Sequence, residues 1–163
     1  MNSTNCVLIG FMGSGKSSVA RSLHKENGAL IMDTDLLIAN QENLSIAEIF
    51  KIKGEVYFRN LELKFCEFCA KYITNSIIAT GGGMPIFCDV KQMGKVFFLH
   101  LDFEVIFSRL NNKEISQRPL FQDKDSAFEL YKTRLRTYQK STHYTIDANK
   151  DISKITQEIL SLL

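Results

Sequence analysis

The segment Gly10 to Ser17, GFMGSGKS, has the residue types and spacing that bind a phosphate chain. It fits the pattern G-x-x-x-x-G-K-[ST], in which glycines let backbone N–H groups surround phosphate oxygens. An apolar strand, CVLIG, precedes it and a helix follows, which is the context that this motif requires. The helix would aim the positive end of its dipole at the same anion. We predict nucleotide contacts from Gly13, Ser14, Gly15, Lys16, Ser17 and Ser18.

Two carboxylates, Asp33 and Asp35, follow the apolar residues ALIM. They could be turn residues without a further role, or they could hold a cation or a hydroxyl group. In an extended chain, residues i and i+2 project to the same side, so both would face one site. The rest of the chain has to decide between these interpretations.

Apolar runs alternate along the chain with segments of helical periodicity, and glycines close several of the runs. Apolar strands without alternation are typical of a parallel sheet that is covered on both faces. We therefore expect a three-layer α/β domain spanning residues 1–163, with its functional residues at the carboxyl ends of the strands. The predicted strands are 6–10, 29–32, 76–80, 95–101 and 144–147. The predicted helices are 15–27, two within 45–73, one that opens with FEVIFSRL at 103–110, 126–141 and 151–163.

Composition excludes several classes of protein. The chain has 163 residues and a formal net charge of +2, so no strong field favours nucleic acid or an acidic membrane. No apolar run approaches the roughly 18 residues that a membrane span needs, and we identify no signal peptide. We expect a cytoplasmic monomer with no nucleic-acid or membrane partner.

Cys66 and Cys69 form a C-x-x-C, a spacing that can indicate redox or metal chemistry. They fall within a predicted helix, without a second such pair and without a nearby histidine. A redox pair would stand at a helix N-terminus after a strand. We interpret both as buried, reduced structural thiols.

The phosphate loop predicts that the chain binds a nucleoside triphosphate, but not what becomes of the γ-phosphate. The Asn-Lys-x-Asp motif of switch GTPases is absent, and DANKD is only a loose echo of it. Larger motors and ATPases have longer chains and a strongly apolar strand ending in aspartate. A chain this short favours a kinase that acts on a small molecule or a nucleotide.

Five motifs in order, the phosphate loop, DTD, FRNLE, TGGG and RPL, give the chain a close resemblance to the shikimate kinase family over almost its whole length. The resemblance implies MgATP-dependent phosphorylation of the 3-hydroxyl of shikimate, on the route to chorismate and aromatic amino acids. It also implies a five-stranded sheet in the order 2-3-1-4-5. The implied cofactor is Mg²⁺, with ATP as co-substrate.

The resemblance also implies a division of labour between the aspartates. Asp33 would serve the metal together with Ser17, and an aspartate beside bound Mg²⁺ should stay ionised. Asp35 would hold the attacking hydroxyl, either as a base or only by positioning it. Lys16 and Arg118 would complete the catalytic set.

For the substrate carboxylate, the resemblance points to arginine, whose planar fork suits bidentate binding. Arg59 of FRNLE would bind it, with Glu62 orienting the arginine and Phe58 as a pocket wall. A second arginine should precede Tyr138 by four residues, which favours Arg134 over the competing Arg136. The backbone N–H groups of Gly81, Gly82 and Gly83 would complete the site, with the main contact at Gly82. The substrate-binding region would span about 34–60.

Residues 111–125 are polar and should form a mobile lid, from which Arg118 would close onto the ATP phosphates. Phe121, which follows RPL, is a mild departure from the family's usual leucine. Arg109 at the leading edge of the lid could stack on adenine. Asn149 and Lys150 would close the adenine pocket.

Two alternatives stay open at this point. Another small kinase, acting on gluconate or a nucleoside monophosphate, would share the phosphate loop, but residues 45–73 offer little that could recognise a base. A regulatory nucleotide-binding module could lack Asp35, Arg59 and Arg134 together, whereas this chain has all three.

Overall fold

The computed structural model of the protein describes residues 4–109 and 123–163. In these residues short strands alternate with helices. The strands are β1 (Cys6–Ile9), β2 (Leu30–Asp33), β3 (Ser76–Ala79), β4 (Lys95–His100) and β5 (Tyr144–Asp147). The helices are α1 (Lys16–Asn27), α2 (Thr34–Glu42), α3 (Ile46–Lys53), α4 (Glu55–Tyr72), α5 (Met84–Phe87), α6 (Phe103–Arg109), α7 (Lys124–Ser141) and α8 (Ile152–Leu162), with a 3-10 turn at Val90–Met93.

The strands form one parallel sheet in the order β2-β3-β1-β4-β5, which confirms the predicted class and strand order. The central strand β1 pairs with both β3 and β4, and all its side chains are buried. Because the strands are parallel, their carboxyl ends meet at one edge. The phosphate loop, Asp33 and the run Gly81–Gly83 all follow strands at this edge, so they converge as the sequence predicted.

Apolar side chains from the sheet and the helices on both sides make one continuous core, centred on β1 and β4. A smaller cluster lies under α2, α3 and α4, where Ile38, Ile49 and Phe58 pack together. Cys66 and Cys69 on α4 are buried free thiols, which confirms their structural interpretation. In the described part of the chain no helix has the length and apolarity that crossing a bilayer requires.

The prediction of a buried second strand at residues 29–32 was wrong in position and environment. The strand runs Leu30–Asp33 at the edge of the sheet, where β3 is its one partner among the described strands, and Leu30 is 72% exposed. An apolar run has the same composition at an edge as at the centre, so its sequence could not reveal the difference. The chain then turns directly into α2, a helix that the sequence analysis did not predict.

The predicted lid, 111–125, falls mostly outside the described residues. Its last two residues belong to α7, which begins two residues earlier than expected. The side chain of Asp123 caps this helix by accepting hydrogen bonds from the backbone N–H groups of Asp125 and Ser126. An aspartate that satisfies free N–H groups in this way is a common helix start.

Asn5, just before β1, joins three segments at the amino end of the sheet. Its side-chain amide donates to the carbonyls of Ile73 and Met93 at 2.8 Å each, and its Oδ1 accepts from the N–H of Ser76 at 3.0 Å. Asn5 is buried. One side chain thus pairs backbone groups that would otherwise be left unsatisfied after α4, at the start of β3 and before β4.

We expect Asn5→Ala to lower the free energy of unfolding by on the order of 3 kcal/mol, since it leaves three backbone groups without partners. Urea unfolding measures the change. Asn60→Ala, at an exposed position on α4, is the matched control and should cost within about 0.5 kcal/mol. Equal losses in the two variants would contradict this role for Asn5.

Candidate active site

The phosphate loop links β1 to α1 as a tight turn. Gly13 and Gly15 have φ angles of 84° and 94°, a left-handed conformation that glycine adopts without steric cost. Lys16 donates from Nζ to the carbonyls of Gly10 at 2.7 Å and Phe11 at 3.1 Å. These contacts place the ammonium group over the loop, where a phosphate chain would lie.

Ser14 lies inside this loop, and its hydroxyl is buried without a hydrogen-bond partner in the described residues. Such a group is costly to leave unpaired, so its position at the phosphate loop points to a polar ligand. Ser18 is half-buried in the first turn of α1, where its hydroxyl accepts from Arg21 at 3.3 Å.

Ser17 and Asp33 come together although sixteen residues separate them. The Ser17 hydroxyl donates to Asp33 Oδ2 at 3.0 Å, and Asp33 Oδ1 caps α2 by accepting from the N–H of Leu36 at 3.3 Å. Hydroxyl and carboxylate oxygens suit Mg²⁺, which usually takes one or two protein ligands together with phosphate oxygens and water. Within residues 4–109 and 123–163, no group of three or more acidic, cysteine or histidine side chains is arranged to hold a metal ion by itself. The pair therefore fits magnesium held partly by a nucleotide.

Asp35 stands in the first turn of α2, so the expectation that both aspartates project from one extended segment was wrong. Asp33 ends the strand and caps the helix, and the helical turn carries Asp35 into a different environment. Its Oδ1 is buried without a hydrogen-bond partner in the described residues. Burial raises the pKa of this carboxyl, with Asp33 adding to the rise and with Lys16 and Arg59 opposing it.

Arg59 on α4 is held by carboxylates at both edges of its guanidinium. Nη1 donates to Glu62 Oε2 at 2.7 Å, while Nε and Nη2 donate to Glu55 Oε1 at 3.1 and 2.9 Å. These bonds use three of the five N–H groups, so each terminal nitrogen keeps one donor for a ligand. Three phenylalanine rings surround the guanidinium carbon at 4.4–5.6 Å from their centroids: Phe87, Phe58 and Phe50.

Glu62 orients Arg59 as its spacing predicted, and it is itself an unusual carboxyl. Its side chain is 1% exposed, and its Oε1 is buried without a partner in the described residues. Burial raises its pKa to about 7, and the Arg59 guanidinium only partly opposes this. Phe58, the predicted pocket wall, belongs to the small apolar cluster, and its ring centroid lies 5.4 Å from the guanidinium carbon of Arg59.

Arg134 and Arg136 differ clearly in environment. Arg134 is buried on α7, and its Nη1 has no hydrogen-bond partner in the described residues. Arg136 is exposed. One turn beyond Arg134, the Tyr138 hydroxyl donates to the carbonyl of Gly82 at 2.6 Å. The structure thus brings Arg134, and not Arg136, to the glycine run.

Each glycine of the run Gly81–Gly83 faces a different charged side chain. The carboxylate of Asp35 fills the space that a β-carbon at Gly81 would take, and the guanidinium of Arg59 does so at Gly83. A β-carbon at Gly82 would lie 3.7 Å from Arg134 Nη1. The run therefore forms the floor of one site, called the acceptor site below, built with Asp35, Arg59, Glu62 and Arg134.

Of the other residues predicted to contact the nucleotide, the structure describes those expected near adenine but not those of the lid. Arg109, at the end of α6, donates from Nη2 to Asn149 Oδ1 at 3.2 Å, which brings together two residues predicted near adenine. A cavity of about 250 Å³ lies beside them, lined by residues that include His100, Asp102 and Asn149. Arg118 and Phe121 lie outside the described residues.

Sequence reasoning missed three residues of the site. Thr34 accepts a hydrogen bond from the N–H of Gly81 at 2.8 Å, and no local pattern indicates such a distant partner. Phe87 covers Arg59 from α5, again through tertiary packing. Glu55 could have been found, because it precedes Arg59 by four residues in a predicted helix, a spacing at which opposite charges pair.

The raised pKa of Glu62 predicts a pH dependence of stability. Between its ordinary value of 4.5 and about 7, the folded protein holds a proton that the unfolded chain releases. This contribution to the free energy of unfolding is full below pH 4.5 and declines as pH rises to 7, by up to about 1.4 kcal/mol per pH unit.

Glu62→Gln should remove this decline between pH 5 and 7, measured by urea unfolding at each pH. Glu67→Gln, at an exposed position on the same helix, is the control and should keep the slope of the unaltered protein. An unchanged slope in Glu62→Gln would show that Glu62 titrates normally.

Comparison with known proteins agrees with this geometry. A family model described as shikimate kinase matches residues 12–163. A shikimate kinase of Helicobacter hepaticus is 40% identical over 159 residues, which cover 98% of this chain and 95% of the relative. The solved structure of shikimate kinase from Acinetobacter baumannii in complex with shikimate superposes with a TM-score of 0.86 at 31% identity, covering 98% of this chain and 92% of that one.

A gluconokinase from Sinorhizobium meliloti has a TM-score of 0.59 at 16% identity, covering 98% of this chain and 91% of that one. This likeness shows a shared fold alone. Together with the 40% identity to a relative over almost the full length of both chains, the family match shows that the protein belongs to the shikimate kinase family.

Proposed function

We propose that the protein transfers the γ-phosphoryl group of MgATP to the 3-hydroxyl of shikimate. Three buried polar atoms without partners in the described residues carry this proposal: Asp35 Oδ1, Glu62 Oε1 and Arg134 Nη1. Unpaired buried polar atoms are rare in folded proteins and call for an explanation. Asp35 and Arg134 lie beside the glycine run next to the phosphate loop, and Glu62 is bound to Arg59, which contacts the same run. A small ligand carrying a carboxylate and hydroxyl groups explains the three atoms together.

The nucleotide end of the site is supported by the loop geometry. Backbone N–H groups of Gly13, Ser14 and Gly15 would surround the phosphates, with Lys16 above them and Ser18 in the first helical turn. Ser17 and Asp33 would hold Mg²⁺, whose chemistry is to bind phosphate oxygens and offset their charge. Arg109 would lie against adenine. Arg118 would reach the phosphates from a lid at 111–125.

Asp35 would orient the acceptor hydroxyl. Its Oδ1 has no hydrogen-bond partner in the described residues, so it can accept a hydrogen bond from that group without losing another. Phosphoryl transfer depends chiefly on positioning and charge stabilisation. Holding the hydroxyl in line with the γ-phosphate is therefore a sufficient role for Asp35.

Arg59 and Arg134 would share the substrate carboxylate. Among the residues that the structure describes, Arg59 keeps one unpaired N–H on each terminal nitrogen, and Arg134 brings a buried Nη1 without a partner. Carboxylate recognition by a guanidinium is strong because the bonds are charge-assisted and often bidentate. Glu62 and the ring of Phe87 would hold Arg59 in the required orientation.

The substrate-binding region would span residues 34–60, and the whole chain would act as one kinase domain. The acceptor site needs no second subunit, since every group that builds it comes from one chain. We further propose a cytoplasmic monomer without a nucleic-acid or membrane partner.

A coupled assay of ADP release, with ATP and Mg²⁺ and with shikimate, gluconate or CMP as acceptor, tests the proposed reaction. We expect turnover with shikimate alone. If folded protein turned over gluconate or CMP but not shikimate, the proposed substrate would be wrong. ATP hydrolysis that no acceptor stimulates would favour a regulatory nucleotide-binding module.

Asp35→Asn tests the division between the two aspartates. It should lower kcat with shikimate by at least about a thousandfold, because a neutral amide oxygen is a weaker acceptor than a carboxylate and cannot take the proton of the attacking hydroxyl. ATP affinity by calorimetry should change less than about threefold. Asp33→Asn is the matched control and should instead raise the Mg²⁺ concentration required for half-maximal rate. A collapse of ATP binding in Asp35→Asn would reverse the two assignments.

A further inference from the structure

Each peptide group of the glycine run is fixed by a hydrogen bond from a different part of the chain. The N–H of Gly81 donates to Thr34 Oγ1 at 2.8 Å, and its carbonyl accepts from the N–H of Met84 at 3.2 Å. The carbonyl of Gly82 accepts from the Tyr138 hydroxyl at 2.6 Å. Glycine is the residue with most backbone freedom, so a run of three would be mobile without these bonds.

The same hydrogen bonds determine the direction of the backbone N–H groups of Gly82 and Gly83. No peptide bond in the described residues is cis, so each N–H points away from the carbonyl of its own peptide group. The N–H of Gly83 shares a peptide group with the carbonyl that Tyr138 holds. It therefore points away from α7, and neither it nor the N–H of Gly82 has a partner in the described residues.

Tyr138 is suited to a fixed donor role. It is fully buried, and its ring packs against Phe98 with the centroids 5.3 Å apart. Burial raises the pKa of its hydroxyl to about 12, so the proton that binds Gly82 stays in place over the physiological range. Arg134 lies one helical turn earlier, and its charge acts on the same hydroxyl. One side chain thus lies against both the glycine run and the second arginine.

We propose that Tyr138 is a positioning residue, which holds the carbonyl of Gly82 so that the N–H of Gly83 stays available to shikimate. This inference rests on the proposed function and deepens it. Tyr138 acts through the backbone and does not itself touch the substrate. Its hydroxyl is the link between α7 and the floor of the acceptor site.

Tyr138→Phe removes the hydroxyl and keeps the ring. We expect KM for shikimate to rise about tenfold, with kcat and KM for ATP within about threefold of the unaltered enzyme. A donor that binds ground state and transition state alike changes KM and not kcat. A tenfold rise in KM corresponds to about 1.4 kcal/mol of binding free energy, which is the size of one hydrogen bond between the N–H of Gly83 and the substrate.

Tyr131→Phe is the matched control. Tyr131 lies on the same helix, and its hydroxyl also donates to a backbone carbonyl, that of Leu101 at 3.1 Å. Both variants lose one buried bond of the same kind, so a general loss of packing would affect them equally. We expect KM for shikimate to stay within about twofold in Tyr131→Phe. Equal changes in both variants, or an unchanged KM in Tyr138→Phe, would overturn the proposal.

Thr34 provides a second pair of variants should Tyr138→Phe fail to fold. Thr34→Val removes the acceptor for the N–H of Gly81 at the other end of the run, and Thr34→Ser keeps it. The valine variant should raise KM for shikimate and the serine variant should restore it. An unchanged KM in Thr34→Val would show that the run needs no such bonds. Shikimate-dependent turnover of the unaltered enzyme is measured first, so failure of the proposed function is distinguished from failure of this inference.

Discussion

Buried charge is the constraint on which the site depends. Asp35, Arg59 and Arg134 crowd around one short run of backbone, and Glu62 is bound to Arg59. The described residues satisfy only some of the hydrogen-bonding atoms of these four side chains. Removing charged groups from water is costly unless they are paired. The fold meets part of this cost internally, through the bonds from Arg59 to Glu55 and Glu62. A ligand that carries complementary groups can supply the hydrogen bonds that are still missing. The affinity for such a ligand therefore depends on buried polar atoms that lack partners in the free protein.

The parallel sheet makes this crowding possible. Strands that end at one edge deliver the phosphate loop, the DTD segment and the glycine run to a common crevice, although they lie far apart in sequence. Two helices complete the arrangement: α4 brings Arg59 and Glu62, and α7 brings Arg134 and Tyr138. The helices orient side chains, while the strand ends supply backbone groups. Each half of the site would be ineffective without the other.

Local patterns in the sequence predicted the fold class and the segments that build the site. The phosphate loop was recognisable because its glycines and lysine act within eight residues. The backbone conformation of Asp35 was predicted wrongly, because the chain changes from strand to helix within the DTD segment itself. In addition, α2 has no clear amphipathic pattern from which a helix could be predicted. Thr34 and Phe87 could not be identified, because their partners lie 47 and 28 residues away in the chain and only tertiary packing joins them.

The close packing of Asp35 against Gly81 and of Arg59 against Gly83 also limits the substitutions by which the enzyme could become resistant to an inhibitor. A β-carbon at either position would displace Asp35 or Arg59, the side chains that hold the hydroxyl and the carboxylate in the proposed reaction. Drug resistance usually arises where a substitution harms the inhibitor more than the substrate. At these two glycines every substitution adds at least a β-carbon, so it would harm both. A compound resting on this part of the floor would contact a surface that the chain cannot alter without losing its own activity.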